Sequence, residues 1–252
     1  MTTREAIMRL RNELSPYYNA REVEGINRVI FEEVLLWKPV DIVMRDNEEL
    51  AAFFPGRLDE IIARLLRHEP LQYILGKAQF HGHSFVVTPD VLIPRPETEQ
   101  LVDMIVDQNP GSDLQVLDIG TGSGCIAISL ARALKFAQVV GIDINPRALE
   151  VANHNAQILN TRVRFAAQDI LNCKAPFEAW DIIVSNPPYI TESEKAAMEP
   201  NVLEYEPAEA LFVPDNDPML FYRAIAAYAS RALKNGGRLY LEINRADRKS
   251  VV

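Results

Sequence analysis

Cysteine is scarce in this chain of 252 residues, and long apolar runs are missing. The two cysteines, Cys125 and Cys173, stand far apart without a C-x-x-C spacing, which argues against a disulfide framework and a zinc ribbon and favours a reducing compartment. No apolar stretch approaches the roughly 18 residues that a membrane-spanning helix needs, so neither export nor membrane anchoring is indicated. We therefore expect a cytoplasmic protein.

Basic residues are fewer than acidic residues. The chain has 26 Lys and Arg against 35 Asp and Glu, which gives a formal net charge of -9. This balance argues against a large phosphate-binding surface, so direct binding of nucleic acid is not expected. Hydrophobic residues make up 48% and charged residues 24%, an ordinary composition for a folded chain with one long domain or two shorter ones.

Helical periodicity dominates the first 70 residues. Thr2 and Glu5 have the spacing of a capping box, and apolar residues then recur three and four positions apart. The second apolar stripe is closed off near Pro39, Pro55-Gly56 is expected to end the third helix, and Pro70 follows the fourth. The four predicted helices cover residues 2–14, 23–35, 47–54 and 58–66. They predict a small N-terminal helical domain over residues 1–70.

The pattern changes to strands after this domain. Residues 71–90 are predicted to form a linker with a β-hairpin, in which Gly82 separates two short apolar runs. From Leu114 onward, apolar strands alternate with helical segments, and the strands are expected over residues 115–119, 139–142, 163–166, 181–184 and 238–243. This alternation predicts an α/β domain over residues 91–252, with a Rossmann-like, doubly wound and mostly parallel sheet.

A glycine-rich loop follows the first of these strands. In VLDIGTGSGCIAISLA, Gly120, Gly122 and Gly124 alternate with Thr121 and Ser123 and open a helix. Glycines allow a sharp turn and a close approach to a ligand, because no Cβ intrudes. The spacing is GxGxG, which differs from GxGxxG, and the Lys-Ser/Thr pair of a triphosphate-binding loop is missing.

Two acidic residues end the next strands. The carboxylate of Asp143, at the end of VVGID, can accept hydrogen bonds from both hydroxyls of a ribose. Asp169 can accept a bond from an adenine amino group, and Ile170 can pack on the ring. A glycine loop alone is often only a turn, and an Asp after a strand is often a helix cap. In this order and spacing, however, they indicate a nucleoside cofactor at the carboxyl edge of the sheet.

The segment VSNPPYI supplies the candidate chemistry. Asn186 ends a fourth strand, and Pro187 and Pro188 stiffen the chain and leave its carbonyls free. The side-chain carbonyl of Asn186 and the main-chain carbonyl of Pro187 can accept both N–H bonds of a substrate –NH2 group, while Tyr189 can lie against its flat face. Asn-Pro alone is most simply a turn. Behind the glycine loop, we interpret it as a clamp that holds a weakly nucleophilic nitrogen in line with a methyl sulfonium.

These residues resemble class I S-adenosylmethionine-dependent methyltransferases, with 118–124 as the cofactor loop and 186–189 as the amino-methylating motif. That motif is shared by enzymes that methylate adenine in nucleic acids and by enzymes that methylate glutamine in proteins. IPRPETE, Ile93 to Glu99, and YEPAEAL, Tyr205 to Leu211, look like motifs of the peptide chain release factor glutamine methyltransferases, the PrmC or HemK family. The resemblance covers nearly the entire chain.

The resemblance implies methyl transfer from S-adenosylmethionine to the side-chain amide nitrogen of the glutamine in the Gly-Gly-Gln motif of release factors, with S-adenosylhomocysteine as by-product. The helical domain would help to grip the release factor, and no membrane partner, no direct nucleic-acid partner and a monomer are expected. A ribosomal-protein glutamine methyltransferase, a nucleic-acid adenine N6-methyltransferase and a catalytically silent binding protein remain alternatives.

The resemblance also assigns roles to residues. Arg95, Thr98 and Glu99 are further candidates that would shape the pocket, or would simply form an ion-paired helix start. The assigned residues are, for the cofactor, Gly120, Thr121, Gly122, Ser123, Gly124, Asp143, Asp169, Ile170 and Asn186; for catalysis, Asn186, Pro187 and Tyr189; and for the substrate glutamine, Asn186, Pro187, Pro188 and Tyr189.

Two further expectations concern the C-terminus and the metal-ligating residue types. The family usually continues past RLYLEI with a glycine, a helix and two more strands, whereas Ile243 is followed here by Asn244 and RADRKSVV. We expect the last hairpin of the sheet to be missing, which would leave its final strand as an exposed edge. His81 and His83 lack a third ligand at useful spacing, so no metal site is expected. Cys125 is expected to be a small buried thiol inside a helix.

Overall fold

The computed structural model describes residues 1–243, which fall into two compact units, residues 1–75 and the chain from residue 76 onward. The first unit is helical. Its helices are α1 (Thr3–Leu14), α2 (Ala20–Leu35), α3 (Pro39–Met44), α4 (Phe54–Leu65) and α5 (Leu71–Leu75).

The predicted capping box at the start of α1 is confirmed. The Glu5 backbone N–H donates to Thr2 Oγ1 at 3.3 Å, and the Thr2 N–H donates to the Glu5 carboxylate at 2.8 Å. Helix α2 begins with a second capping box, formed by Asn19 and Glu22, which sequence reasoning missed. Both boxes satisfy N–H groups that the first helical turn leaves without a partner.

The third predicted helix, over residues 47–54, is wrong. The short helix lies earlier, at Pro39–Met44, and Pro55 stands in the first turn of α4 where it was expected to break a helix. The physical reason is the same in both places. A proline lacks an N–H, but the first helical turn does not need that donor, so proline begins a helix as readily as it ends one. Helix α5, in the first part of the predicted linker, was also missed.

The second unit begins with the expected hairpin, which is confirmed. Strands β1 (Lys77–Phe80) and β2 (His83–Val86) pair in antiparallel orientation, and the turn between them uses a positive φ at His81 and at Gly82. The remaining elements are α6 (Pro96–Gln108), β3 (Gln115–Ile119), α7 (Cys125–Ala133), β4 (Gln138–Asp143), α8 (Pro146–Ile158), β5 (Val163–Ala167), β6 (Trp180–Ser185), β7 (Ile190–Thr191), α9 (Pro200–Tyr205), β8 (Phe212–Val213), α10 (Leu220–Ala232) and β9 (Leu233–Leu241).

The predicted parallel sheet is confirmed. Its five strands have the order β5-β4-β3-β6-β9, and all four pairings are parallel. The strand order reverses between β3 and β6, and in such sheets the crevice for a ligand forms at this reversal, beyond the carboxyl ends of the strands. All five predicted strands exist, although β9 begins at Leu233 rather than Arg238 and ends at Leu241.

Apolar side chains cover the sheet on both faces. On one face, Val116 and Val184 pack with residues of α6 and α7, such as Ile105 and Leu130. On the other face, Leu117 and Ile183 pack with residues of α10, including Ile225. Successive residues of a strand point to opposite faces, so a strand buried on both sides is a nearly continuous apolar run, as the sequence shows.

Strand β9 forms one edge of this sheet in the part of the chain that the structure describes. The predicted lack of a further hairpin and the polar run RADRKSVV concern positions after Ile243, which lie outside the described residues. Across residues 1–243, no helix combines the length and the apolar character needed to cross a membrane.

Candidate active site

A cavity of about 280 Å³ lies at the carboxyl edge of the sheet, where the strand order reverses. Its walls come from the segments that directly follow β3, β4, β5 and β6, together with parts of the IPRPETE and YEPAEAL motifs. Its lining residues include Pro94, Arg95, Thr98, Gly120, Thr121, Gly122, Ser123, Cys125, Asp143, Ile144, Asp169, Ile170, Asn186, Pro187, Pro188 and Glu209. The predicted convergence of these motifs at one sheet edge is thus seen in the structure.

The glycine loop owes its shape to backbone conformations that favour glycine. Gly120, Gly122 and Gly124 have φ values of 71°, 53° and 80°, in the left-handed region that L side chains rarely adopt. The N–H groups of Gly120 and Thr121 donate to the carbonyl of Ile142 at 2.9 and 3.0 Å, so the loop is tied to the end of β4.

Gly124 has a packing role. A Cβ at this position would stand 3.1 to 3.2 Å from the side chains of Ala152, Ile128 and Phe165, and Gly124 is not one of the described residues that line the cavity. Of the five loop residues predicted to touch a cofactor, the four from Gly120 to Ser123 therefore face the cavity. Gly124 instead lets the start of α7 pack closely against its neighbours.

Asp118 supports the loop from inside. Its carboxylate is fully buried and accepts a hydrogen bond from Thr121 Oγ1 at 2.7 Å. Burial raises the pKa of Asp118 to about 7, because the charged form loses its hydration, and the bond from Thr121 opposes this shift. The side chain of Thr121, which lines the cavity, is thereby held in one orientation.

Asp143 is bound to the glycine loop by a direct hydrogen bond. Its Oδ2 accepts from the Gly122 N–H at 2.8 Å, and its Oδ1 accepts from the Asn145 N–H at 2.9 Å. Burial raises the pKa of Asp143, while these backbone donors lower it. An ionised carboxylate has about four acceptor sites, so each oxygen can also accept a hydroxyl of a bound sugar.

The wall after β5 is partly engaged in its own turn. Asp169 Oδ1 accepts from the Leu171 N–H at 2.9 Å, and Oδ2 accepts from Asn172 Nδ2 at 2.6 Å. Asp169 therefore caps a turn while it lines the cavity, so the capping role and the predicted ligand role fall on one residue. Ile170 and the exposed Ile144 add apolar surface on which a flat ring can pack. Sequence reasoning missed Ile144, although an isoleucine directly after Asp143 was a visible signal.

The NPPY segment forms the opposite end of the cavity. Asn186, Pro187 and Pro188 line it, whereas Tyr189 is not among the described lining residues. The Tyr189 hydroxyl instead donates to Glu242 at 3.4 Å. Burial raises the pKa of Tyr189 to about 12, and the nearby Glu242 charge adds to the shift, so the phenol is neutral. That Tyr189 stacks on a substrate amide stays a prediction.

The two motifs that flank the core meet in the structure. Arg95, from IPRPETE, donates to the Glu206 carboxylate of YEPAEAL at 2.7 Å. The Glu206 side chain is only 1% exposed, and it also accepts from the Ile93 N–H at 3.3 Å. The two bonds offset part of the cost of burying the Glu206 charge, while the Arg95 side chain stays 34% exposed. Arg95 and Thr98 line the cavity, while Glu99 is outside the group of described residues that do.

Glu206 and Glu242 accept hydrogen bonds from residues around the NPPY segment, and sequence reasoning did not single them out. Glu242 directly follows β9, and its carboxylate accepts from Thr98 Oγ1 at 2.7 Å. A polar residue at the carboxyl end of a parallel strand is the signal that identified Asn186, and it was equally available for Glu242 in RLYLEI.

The two histidines that were considered as metal ligands have protein partners. His81 Nε2 lies 3.0 Å from the Asp103 carboxylate, and His83 Nε2 accepts from Arg132 Nε at 3.0 Å. Within residues 1–243, no group of three or more His, Cys, Asp and Glu side chains is arranged to hold a metal ion. Cys125 was expected inside a helix but is the first residue of α7 and lines the cavity; burial raises the pKa of its thiol to about 12.

The residues that line the cavity fit a nucleoside. The Asp143 carboxylate can bind sugar hydroxyls, Ile144 and Ile170 provide an apolar surface for a base, and the glycine loop keeps the backbone open to a close approach. The side chain of Asn186 lies at the same cavity, where it can meet a second molecule.

Comparisons with known proteins agree with this geometry. The sequence profile of the "Methyltransferase domain" family matches residues 110–249, and that of the "PrmC N-terminal domain" matches residues 5–76. A release factor glutamine methyltransferase of Bacteroides thetaiotaomicron is 48% identical over 238 residues, which cover 94% of this chain and 85% of that protein. Proteins with the same name from Flavobacterium psychrophilum and Enterococcus faecalis are 43% and 39% identical, and each alignment covers 92% of this chain and 83% of the relative.

Proposed function

The chain belongs to the family of release factor glutamine methyltransferases, and we propose that it methylates the side-chain amide nitrogen of the glutamine in the Gly-Gly-Gln motif of peptide chain release factors. The methyl donor is S-adenosylmethionine, and the by-product is S-adenosylhomocysteine. One observation carries the proposal: Asn186 and Pro187 line the same cavity as the glycine loop and Asp143. The shared cavity supports a proposal in which the residues that would hold the substrate nitrogen and those that would hold the nucleoside border the same space.

We assign the cofactor to the end of the cavity formed by Gly120 to Ser123, Asp143, Asp169 and Ile170, with Gly124 as a support for the loop. S-adenosylmethionine, when bound, supplies a methyl group on a positively charged sulfur. Asp143 would accept the ribose hydroxyls, since both of its oxygens are fixed by backbone donors and retain free lone pairs. Ile170 and Ile144 would hold the base, and Asn186 would lie beside the reacting atoms.

Asn186 and Pro187 would hold the substrate amide. An amide nitrogen is a weak nucleophile, because its lone pair is delocalised into the carbonyl. Two acceptors on its two N–H bonds fix the nitrogen in the line of attack and favour the positive charge that develops on it. The chain needs no covalent nucleophile for this reaction, and the proton can leave the nitrogen after transfer. The raised pKa of the Cys125 thiol, about 12, agrees with a bystander role for that side chain.

The first unit would contribute to recognition of the release factor. Residues 5–76 match the PrmC N-terminal domain, and this range nearly coincides with the helical unit over residues 1–75. We further propose that the chain acts as a monomer in the cytoplasm. We also propose that it does not bind nucleic acid directly, and the net charge of -9 supports this last point.

The decisive test is the site of methylation. The purified chain would be incubated with S-adenosylmethionine and a release factor, and the peptide with Gly-Gly-Gln would be analysed by mass spectrometry. We expect one added methyl group on the glutamine, and none on a matched release factor in which that glutamine is replaced by alanine. Parallel incubations would contain ribosomal proteins and nucleic acid. An unmodified release factor beside a methylated ribosomal protein or methylated adenine would refute the proposal in favour of that alternative.

A further inference from the structure

The two ends of an asparagine side chain are chemically opposite. Its carbonyl oxygen accepts hydrogen bonds, and its NH2 group donates them. Only the carbonyl oxygen can hold a substrate –NH2 group, so Asn186 can act as a clamp in one of its two amide orientations. In the other orientation two NH2 groups would face each other. The protein therefore needs something that decides which end of Asn186 faces the cavity.

Thr98 and Glu242 stand behind Asn186 and form a hydrogen-bonded chain. Thr98, which is 2% exposed, donates from Oγ1 to Glu242 Oε2 at 2.7 Å. Asn186 Nδ2 in turn lies 3.5 Å from Thr98 Oγ1, a contact longer than the roughly 2.7 to 3.2 Å of an ordinary N–H···O bond. The three side chains come from the first turn of α6, the end of β6 and the end of β9.

The donor and acceptor roles in these two hydrogen bonds follow from the chemistry of the three side chains. An ionised carboxylate can only accept, so the single hydroxyl proton of Thr98 is used in the bond to Glu242. Thr98 Oγ1 then has only lone pairs to offer to Asn186, and these attract the NH2 group and repel the carbonyl oxygen. The carbonyl oxygen of Asn186 is left for the cavity.

We propose that Thr98 and Glu242 are positioning residues that fix the amide orientation of Asn186, so that its Oδ1 faces the substrate nitrogen. The inference rests on the proposed function, in which Asn186 holds an amide. It assigns a role in the reaction to two residues outside the NPPY segment.

Glu242 is itself held in place by several elements. Its backbone N–H donates to the Ser185 carbonyl at 3.0 Å, and its carbonyl accepts from the Tyr222 hydroxyl of α10 at 3.1 Å. Its second carboxylate oxygen accepts from Tyr189 at 3.4 Å. Because backbone and side chain are both fixed, the carboxylate can define the direction of the bond from Thr98.

The first test removes the hydroxyl of Thr98. Thr98→Val keeps the shape of the side chain but cannot bridge Glu242 and Asn186, whereas Thr98→Ser keeps the hydroxyl. We expect kcat of Thr98→Val to fall by about 10- to 100-fold, the range that follows from misplacement of a reacting group. KM for S-adenosylmethionine should stay within about threefold, and Thr98→Ser should restore kcat to within about threefold of the unaltered chain. Thr161→Val is the matched control for loss of a threonine hydroxyl, because Thr161 is not among the described residues that line the cavity and its hydroxyl bonds with Arg132 and the Leu159 carbonyl.

The second test uses pH. Burial raises the pKa of Glu242, while the bonds from Thr98 and Tyr189 and the charge of Arg95 lower it and Glu97 raises it. As pH falls through the pKa of Glu242, the carboxyl gains a proton that it can donate to Thr98. The donor and acceptor roles in the hydrogen bonds that link Glu242 to Thr98 and Thr98 to Asn186 are then no longer fixed. We expect kcat to fall on the acid side. Glu242→Gln can turn either its amide oxygen or its NH2 group to Thr98, as a protonated carboxyl can, and it has no proton to gain, so its kcat should be low at every pH and this acid limb should vanish.

The outcomes separate the inference from the proposed function. If the unaltered chain transfers no methyl group to the Gly-Gly-Gln glutamine, the proposed function fails and the inference fails with it. If the unaltered chain is active, an undiminished kcat in Thr98→Val, or an equal loss in Thr98→Ser, would overturn the inference alone. The same holds for a Glu242→Gln profile that superimposes on that of the unaltered chain. Thermal unfolding of each variant would identify a loss of activity that comes from a loss of fold.

Discussion

The two ends of the cavity are built by different means. At the glycine-loop end, formed by Gly120 to Ser123, Asp143, Asp169 and Ile170, most of the fixing contacts use backbone groups. The N–H groups of Gly120, Thr121 and Gly122 donate to neighbouring strand ends or to Asp143. At the NPPY end, Asn186 to Pro188, Arg95 and Thr98 line the cavity and Tyr189, Glu206 and Glu242 stand behind them, and most of the bonds that join these residues link one side chain to another.

The sequence separation of the partners differs in the same way. Gly122 and Asp143 are 21 residues apart, whereas Arg95 and Glu206 are 111 apart and Thr98 and Glu242 are 144 apart. A backbone contact depends on the conformation of the chain and tolerates many side chains, provided that glycine stays where φ is positive. A side-chain contact is lost when either partner is replaced. We therefore expect a single substitution at one end of the cavity to leave the properties of the other end unchanged.

Asn186→Ala should have the largest effect, because it removes the clamp from the NPPY end. We expect kcat for release factor methylation to fall by about 100- to 1000-fold, as when one preorganised hydrogen-bonding group is removed from an active site. The glycine-loop end should be unaffected, so the dissociation constant of S-adenosylhomocysteine, measured by calorimetry, should change by less than about threefold. Asn153→Ala, at an exposed position of α8, is the control. Equal losses of catalysis and of cofactor affinity would show that the two ends are not separable.

Arg95→Ala should have the next largest effect, and on stability. The Glu206 side chain is 1% exposed, so loss of Arg95 leaves a buried carboxylate without its counter-charge. We expect the free energy of unfolding, measured with urea, to fall by roughly 3 kcal/mol. Arg147→Ala is the matched control, because Arg147 is 74% exposed and pairs with Asp90 at 3.3 Å on the surface. Its loss should cost less than about 1 kcal/mol. Similar midpoints for the two variants would contradict the view that the Arg95–Glu206 bond holds the NPPY end together.

The same contrast explains what the sequence could predict. Local sequence is enough to recognise Gly120, Gly122 and Asp143, because positive φ favours glycine and a carboxylate at a strand end is a local pattern. The strands were found for a similar reason: a strand that is buried on both faces is a continuous apolar run. The predictions at Pro39 and Pro55 were wrong, since the residue type alone does not show on which side of a proline the helix lies.

The NPPY end could be predicted only in part. Asn186 was recognised from its place after a strand and Thr98 as a candidate pocket residue, but the contacts of Thr98 with Asn186 and Glu242 join segments that meet only after the sheet has formed. Likewise, IPRPETE and YEPAEAL were recognised as motifs, while the ion pair that joins them was not. Charged residues are common on any surface, and nothing local distinguishes Glu206 from the glutamates around it. Long-range pairs of side chains depend on the tertiary structure.

The smallest expected effect is that of a substitution at Gly141, a residue of β4 that packs against Thr121 of the glycine loop. In β4, a Cβ at this position would stand 2.7 Å from the Phe165 ring and from Thr121 Oγ1. Gly141→Ala should therefore push Thr121 away from Asp118, weaken binding of S-adenosylhomocysteine, and lower the free energy of unfolding by about 1 to 2 kcal/mol. Gly25→Ala is the control, because Gly25 lies inside α2 with nothing within 4 Å of the added Cβ. It should stabilise the chain by about 1 kcal/mol and leave the cofactor affinity unchanged. If Gly141→Ala bound S-adenosylhomocysteine as tightly as Gly25→Ala does, close packing behind the loop would not be what shapes the glycine-loop end.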